Sequence, residues 1–377
     1  MAAPAPTTRR DFLRGRPIAE AVDRSIRRTA EPATKRQVSV PCQVNANSAV
    51  ITASRRAMAC RFEIVLPVLT PRAVEAATAA LDEIDRLEDQ MTVYRDTSEV
   101  SRINLFAAVT PVPVEPRLFE LFESAARLTQ ETAGAFDIAA GALIKAWGFF
   151  RGPKRVPPPD ELASMLERVG SRNVVLDRER RTIEFSRPGV ELNLGAIGKG
   201  YALDRAAELL RRDWGVSSAV LQGGRSSILA IGTPADDRER DADSGWLVGI
   251  LDPREPSRHI ATVRLRDAAL GTSGATIQYF EADGRRFGHI LDPRTGWPAD
   301  GGACVSVIAP TAAEADALST AFFILGPNRT RDYCDRHPEV GAIVVLKDAD
   351  SDELEVQLVG QPSGLVELNM TDRTSSF

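Results

Sequence analysis

Apolar residues alternate with polar ones in some stretches of this chain and recur every three to four positions in others. The alternation at residues 61–66 predicts a strand, and the longer spacing predicts helices over residues 71–90, 115–133, 201–214 and 312–325. Short apolar runs predict further strands at residues 174–176, 182–185, 190–194, 216–231, 246–251, 261–265, 275–281, 285–290, 305–309 and 342–347. Because the strands come in runs, with helices between only some of them, we expect an α+β fold with mixed, mainly antiparallel sheets and packed helices.

The same pattern divides the chain into three parts. Residues 1–47 are basic and rich in Ala, Pro, Thr and Arg, which is typical of a disordered tail. Residues 48–347 carry the predicted elements and form a single domain, closed by the strand at 342–347. Residues 348–377 are polar and weakly patterned, and we expect them to be a C-terminal extension.

Composition narrows the class of protein. The chain has 377 residues, of which 43% are hydrophobic and 26% are charged, as in ordinary globular proteins. It lacks the run of about 18 apolar residues that a transmembrane helix needs, and its net charge of -5 gives no reason to expect a nucleic-acid partner. The four cysteines are scattered and form neither a zinc pattern nor a disulfide framework.

The first residues contain a possible export signal. Residues 8–14, Thr-Arg-Arg-Asp-Phe-Leu-Arg, resemble a twin-arginine signal. Such a signal also needs an apolar stretch of about 7–15 residues, and here the chain continues with charged residues. We therefore expect a cytoplasmic protein, with export to the periplasm as the second possibility.

A glycine-rich turn at residues 195–204, Gly-Ala-Ile-Gly-Lys-Gly-Tyr-Ala-Leu-Asp, leads from an apolar segment into a helix. Backbone N–H groups at such a turn can approach a phosphate, and Lys199 adds a positive charge. The spacing differs from that of a Walker A loop. A tight turn with a solvated lysine explains the same residues without any ligand.

Asp316 and Thr320 lie four residues apart on a predicted helix and therefore share a face. A carboxylate and a hydroxyl together suit a hard cation such as Mg²⁺. The alternative is that Asp316 is an acidic residue near the helix N-terminus, where the helix dipole favours it.

A polar turn at residues 286–298 contains His289, one of three histidines in the chain. The turn is rich in Pro and Gly, which suits a site better than a core. His289 could act as a general base or bind phosphate, or it could be structural. Residues 272–274 supply hydroxyl groups and form either a tight turn or another phosphate contact, and residues 222–225 are a further glycine turn that carries a cation.

In this order, these segments resemble the ApbE-type flavin transferases (FAD:protein FMN transferases). The resemblance spans roughly residues 52–345, and its motifs are specific as a set. They lie at residues 58–60, 91–104, 134–149, 194–204, 223–224, 272–274, 289–298 and 315–320. Three positions depart from the family pattern: Cys60 replaces a usual Thr, Asn193 a common Asp, and Arg225 a frequent acidic residue.

The resemblance implies a single ApbE/T-fold-like catalytic domain that moves FMN from FAD onto a threonine or serine hydroxyl of a target flavoprotein and releases AMP. It implies Mg²⁺ bound by Asp316, Thr320 and the backbone carbonyl of Ala196. Lys199 would neutralise charge, and His289 would accept the proton of the target hydroxyl. The residues that it implies as FAD contacts are Met58, Tyr94, Ala135, Phe136, Asp137, Asn193, Lys199 and Ile290.

Two other functions fit the same residues. An FAD pyrophosphatase would use the same metal site with water as the acceptor. A flavin-binding protein without catalysis would not need a metal at the pyrophosphate, so the Asp316 and Thr320 pair argues against it. The absence of a Gly-x-Gly-x-x-Gly motif after an N-terminal strand argues against a Rossmann-type nicotinamide enzyme.

Overall fold

The computed structural model describes residues 49–234, 244–255, 257–274, 279–300, 302–347, 354–362 and 365–370. All of them fall within one compact unit. The predicted tail at residues 1–47 lies outside the described residues, so the tail, its boundary and the compartment remain predictions. Among the described residues, no helix is long and apolar enough to span a membrane.

An eight-stranded sheet forms the centre of the fold, and every neighbouring pair of strands in it is antiparallel. Its strand order is β1-β2-β6-β7-β10-β13-β14-β15. The strands are β1 Val50–Ala57, β2 Cys60–Pro67, β6 Ala219–Gly223, β7 Ser227–Ile231, β10 Ala268–Gly274, β13 Cys304–Ala309, β14 Gly341–Lys347 and β15 Leu354–Val359.

The remaining strands form three smaller sheets, with the strand orders β16-β9-β8, β3-β5-β4 and β11-β12. Their strands are β3 Val112–Pro113, β4 Val174–Asp177, β5 Thr182–Phe185, β8 Trp246–Leu251, β9 His259–Leu265, β11 Tyr279–Ala282, β12 Arg285–Gly288 and β16 Leu365–Met370. The helices are α1 Ala73–Met91, α2 Glu99–Phe106, α3 Pro116–Glu131, α4 Gly141–Ala146, α5 Pro159–Leu166, α6 Gly198–Trp214 and α7 Ala312–Arg336, with a 3₁₀ turn at Ser171–Asn173.

The central sheet is buried on both faces. Along β6, Ala219 and Leu221 contribute to a core with helices α1, α6 and α7, whereas Val220 faces a second core shared with strands β8 and β9. Strand β14 alternates between the same two cores. This burial explains why the central strands read as continuous apolar runs, and it confirms the expected α+β class with antiparallel sheets.

Several predicted elements differ in detail. Residues 190–194 form no regular strand, and residues 216–231 divide into β6 and β7 around a turn. Residues 272–274 belong to strand β10 and do not form a turn. The prediction that residues 342–347 close the fold is wrong, because β15 pairs with β14. The predicted end of a helix near residue 325 coincides with a break in α7, where Gly326 is non-helical and Pro327 follows.

The hairpin between β1 and β2 carries local strain. Ala57 pairs with Cys60, and the two residues between them, Met58 and Ala59, have φ angles of 48° and 59°. Two-residue turns of this kind favour glycine, because positive φ costs other residues about 1–2 kcal/mol. The turn therefore keeps alanine at a position that suits glycine better.

We expect Ala59→Gly to raise the free energy of unfolding by about 1 kcal/mol, since relief of the positive φ exceeds the entropy cost of glycine. Urea denaturation checks this. Ala53→Gly, within strand β1, is the matched control and should lower stability by about 0.5–1 kcal/mol. Equal losses of unfolding free energy in both variants would show that the turn is not strained.

Candidate functional site

Asp316 lies on α7 with only 5% of its side chain exposed, and three groups surround its carboxylate. The backbone N–H of Gly200 donates to Oδ2 at 2.8 Å. The hydroxyl of Ser227 lies 2.6 Å from Oδ1 and 2.9 Å from Oδ2. Lys199 Nζ is 3.7 Å from Oδ2. The first turn of α6 and the start of β7 thus meet at one buried carboxylate.

Burial dominates the electrostatics of this carboxylate. Burial raises the pKa of Asp316, while Lys199, the hydroxyl of Ser227 and the N–H of Gly200 act in the opposite direction. A buried carboxylate with one cation at 3.7 Å lacks full compensation of its charge. Such a group is well suited to gain a bound cation.

Two glycines allow α7 to approach its neighbours closely. A Cβ atom at Gly200 would lie 2.0 Å from the carbonyl oxygen of Ala312, and one at Gly271 would lie 2.3 Å from the backbone of Ala315. Only glycine leaves room for these contacts. Gly200 on α6 and Gly271 on β10 therefore place Asp316 at the meeting point of helix and sheet.

Asp204 fixes the beginning of α7. Its two carboxylate oxygens accept hydrogen bonds from the backbone N–H groups of Ala312 and Ala313 at 2.8 and 2.9 Å. Thr311 caps the same end by accepting from the N–H of Glu314. Burial raises the pKa of Asp204 to about 7. The residue that ends the glycine-rich motif thus anchors the helix that carries Asp316.

A cluster of hydroxyl groups lies on the next turn of α7. Ser273 Oγ on β10 is 2.8 Å from Ser319 Oγ and 3.1 Å from Thr320 Oγ1. Ser319 donates to the backbone carbonyl of Asp316 at 2.8 Å. The predicted pair of Asp316 and Thr320 therefore lies on one side of α7, with Ser273 beside it.

The oxygen atoms available for a metal are of several kinds. No cluster of three or more His, Cys, Asp and Glu side chains suited to a metal occurs within the described residues. A cation here would need hydroxyl and backbone oxygens in addition to Asp316. Ala196 lies in the turn just before α6, which is consistent with a carbonyl ligand, and its role remains a prediction.

Cys60, at the first motif, lies near this carboxylate. Burial raises the pKa of its thiol, while the charge of Lys199 lowers it and that of Asp316 raises it. Gly224, which directly follows the neighbouring strand β6, lies beside it, and a Cβ atom there would lie 3.4 Å from the Cys60 sulfur. The β1–β2 hairpin, which also holds Met58, therefore borders the site.

Tyr94, which the resemblance predicts to contact FAD, is exposed and already has an aromatic partner. Its ring stacks on Phe150 with centroids 4.6 Å apart and an angle of 12° between the planes. The guanidinium of Arg151 lies over both rings. This flat, cationic surface could accept a further aromatic ring.

A cavity of about 510 Å³ lies beside Phe150 and includes Asn193 among its lining residues. Asn104 sets the position of this wall, because its side chain bonds both the N–H and the carbonyl of Leu192, at 2.7 and 2.9 Å. Asn193 itself accepts a hydrogen bond from the N–H of Gly195. Asn193 thus joins the cavity to the glycine-rich turn.

The segment at residues 135–137 points inward. Ala135 and Phe136 are buried in the core. The carboxylate of Asp137 accepts from the N–H and hydroxyl of Ser171 and from the N–H of Ala139. Because these side chains are committed to the fold, a contact from this segment to a ligand falls to its backbone.

The turn that contains His289 packs on an aromatic cluster. Trp147 donates from its indole to the carbonyl of Gly296 at 2.8 Å, and the His289 ring meets Phe149 edge-on with centroids 6.4 Å apart. The neighbouring Ile290 is buried. Arg294 binds the carboxylate of Asp292 through two nitrogens at 2.8 Å, so this carboxylate is already engaged within the turn.

The sequence predicts Lys199, Asp316 and Thr320 as site residues, and the structure places Lys199 on α6 beside Asp316, one helical turn from Thr320 on α7. Sequence reasoning missed Ser227, Gly271 and Ser319. A glycine within the apolar run at residues 268–274 was a possible signal for Gly271, since glycine in a strand often marks a close approach of backbones. No comparable signal marks Ser227.

Comparisons with known proteins agree on one family. The model of the ApbE family matches residues 58–344. The FAD:protein FMN transferase of Treponema pallidum is 35% identical over 74% of this chain and 81% of its own length.

Solved structures of similar fold point the same way. The ApbE protein of Thermotoga maritima is 30% identical with a TM-score of 0.71, over 82% of this chain and 97% of that protein. The flavinyl transferase ApbE of Pseudomonas stutzeri is 26% identical with a TM-score of 0.72, over 83% and 95%.

Proposed function

The chain belongs to the ApbE family, and on this basis we propose that it transfers FMN from FAD to a threonine or serine hydroxyl of a target flavoprotein, releasing AMP. The activity in the names of its relatives supports the reaction. The observation that carries the proposal is the buried Asp316 carboxylate, held beside Lys199 at the N-terminal turn of α6. Such a site suits a pyrophosphate and its counter-ion.

A divalent cation, Mg²⁺ in our proposal, fits the oxygen atoms around Asp316. The carboxylate of Asp316, the hydroxyl of Thr320 and the carbonyl of Ala196 would hold it, and oxygen ligands are those that Mg²⁺ prefers. The incomplete compensation of the buried carboxylate supports this assignment. When bound, the cation would neutralise the charge of the pyrophosphate.

The protein's own residues supply the remaining charge and the positioning. Lys199 is the second residue of α6, where the helix dipole also favours an anion. Its ammonium group would neutralise the negative charge that builds up on the departing AMP. The backbone held by Asn104 and the ring of Tyr94 would keep the flavin half in place.

His289 is the proposed acceptor of the proton. As the target hydroxyl oxygen forms its bond to the phosphorus of the FMN half, its proton passes to the imidazole of His289, and the bond between phosphorus and the AMP oxygen breaks. An imidazole titrates near neutral pH and can accept and release that proton in each cycle.

The test is the covalent product. The full-length protein is incubated with FAD, Mg²⁺ and a flavoprotein domain, and mass spectrometry follows the domain while chromatography follows AMP. We expect FMN attached to one Thr or Ser and one AMP released per adduct. AMP without an adduct would replace this proposal with a pyrophosphatase, and bound FAD with neither product would indicate a carrier.

We expect His289→Gln to lower kcat by about 100-fold or more while KM for FAD stays within a few-fold, because general base catalysis typically contributes this much. Steady-state kinetics of AMP release with varied FAD checks it. His337→Gln is the control, since His337 stacks on Tyr333 at the end of α7. A rise in KM for FAD with an unchanged kcat would make His289 a binding residue.

A further inference from the structure

Ser227 has no role in the reaction proposed above, yet it makes the shortest contact to Asp316. We propose that Ser227 is a positioning residue that fixes the orientation of the Asp316 carboxylate for the divalent cation. This inference rests on the proposed function, because it assigns Ser227 a task at the same cation site.

The position of Ser227 is rigid. It is the first residue of β7 and is fully buried. In the central sheet it pairs with Gly223 on β6 and with Gly271 on β10. Since strands on both sides hold its backbone, its hydroxyl has a defined direction relative to α7.

The hydroxyl of Ser227 contacts both oxygens of the Asp316 carboxylate, but it lies closer to the one that Gly200 and Lys199 do not contact. The N–H of Gly200 and the ammonium of Lys199 both address Oδ2, whereas the hydroxyl of Ser227 is nearest to Oδ1, at 2.6 Å. A carboxylate has about four lone-pair sites, so further sites stay available for a cation.

An aspartate needs such fixing because rotation about its Cβ–Cγ bond is only weakly restricted by its own geometry. The Gly200 contact alone holds one oxygen. The Ser227 contact adds the second point that defines the plane of the carboxylate. Groups that orient a metal ligand in this way typically change metal affinity about 10- to 100-fold when removed.

The chain offers a matched control in Ser306. It is as deeply buried in the same sheet, on β13, and its hydroxyl lies 2.8 Å from that of Thr272 on β10. Ser306→Ala thus removes an equally buried serine hydroxyl whose partner is another hydroxyl. Any general effect of losing a buried hydroxyl should appear in both variants.

The experiment measures Mn²⁺ binding to the full-length protein by electron paramagnetic resonance, with and without FAD, alongside thermal denaturation. We expect Ser227→Ala to raise the Kd for Mn²⁺ about 10- to 100-fold, while Ser306→Ala stays within about threefold of the unchanged protein. Cysteine is similar in size to serine but is a weak hydrogen-bond donor. The Kd of Ser227→Cys for Mn²⁺ should therefore lie between those of Ser227→Ala and the unchanged protein. The cysteine variant also serves if the alanine variant does not fold.

Unchanged Mn²⁺ affinity in the folded Ser227 variants would overturn the inference. Equal losses of Mn²⁺ affinity in Ser227→Ala and Ser306→Ala would overturn it too. Failure of the proposed function looks different. In that case the unchanged protein binds Mn²⁺ and FAD, and Ser227→Ala weakens Mn²⁺ binding, but no FMN adduct forms. A protein that binds no Mn²⁺ at all would refute both the cation site and the role of Ser227.

Discussion

Asp316→Asn is expected to lower FMN transfer at least about 1000-fold without lowering the melting temperature. The charge of Asp316 is the feature that a cation and Lys199 require, and removing such electrostatic groups commonly costs about 100- to 1000-fold each. Asparagine keeps the shape of the side chain, and its oxygen can still accept from Gly200. Because burial raises the pKa of Asp316, the charged form is unfavourable in this environment, and a neutral amide should be tolerated or even stabilising.

The measurements are the yield of FMN adduct, the release of AMP and the melting temperature. Asp332→Asn is the control, since Asp332 is an exposed carboxylate on the same helix, and it should leave all three unchanged. Activity that survives Asp316→Asn with the same Mg²⁺ dependence would show that the metal site is elsewhere. A large fall in melting temperature would show that the carboxylate is structural.

Gly200→Ala is expected to destabilise the protein by at least about 3 kcal/mol, although alanine normally favours a helix. The added Cβ would lie 2.0 Å from the carbonyl oxygen of Ala312 and 2.6 Å from the nitrogen of Ala313. Backbone atoms cannot move aside as a flexible side chain can, so α6 and α7 must separate. Overpacking typically costs about 1–3 kcal/mol, and occasionally more. This cost exceeds the gain of about 1 kcal/mol in helix propensity that alanine has over glycine.

Urea denaturation measures the effect, and Gly198→Ala provides the comparison within the same helical turn. A Cβ at Gly198 would meet only side-chain atoms at 3.6 and 3.9 Å, which are ordinary contacts. We therefore expect Gly198→Ala to be neutral or slightly stabilising. Equal stability of the two variants would mean that α6 and α7 are further apart than described.

The sequence carried enough information for the fold class but less for individual segments. The apolar runs of β6 and β14 identified buried strands, because both faces of the central sheet are covered. Residues 190–194 show the limit of the pattern. Their alternation is that of a strand, yet the side chain of Asn104 takes the place of a neighbouring strand and bonds both backbone groups of Leu192.

The residues of the candidate site likewise divide into those that the sequence predicted and those that it did not. Asp316 and Thr320 were predictable because they are four residues apart on one helix, and Lys199 because it lies in a local motif. Ser227 is 89 residues away from Asp316 in sequence, and a serine at the start of a strand has no local feature that indicates its partner. Only the pairing of β7 and β10 beneath α7 brings the two together.

The anchoring of α7 by Asp204 also couples folding to proton uptake. The pKa of this carboxyl is about 7 in the folded protein, whereas in an unfolded chain it is about 4. Between these values folding binds a proton, so the stability that Asp204 contributes is fully present below about pH 4 and is lost as the pH rises through 7. With respect to this residue alone, the fold is better suited to a mildly acidic medium than to an alkaline one.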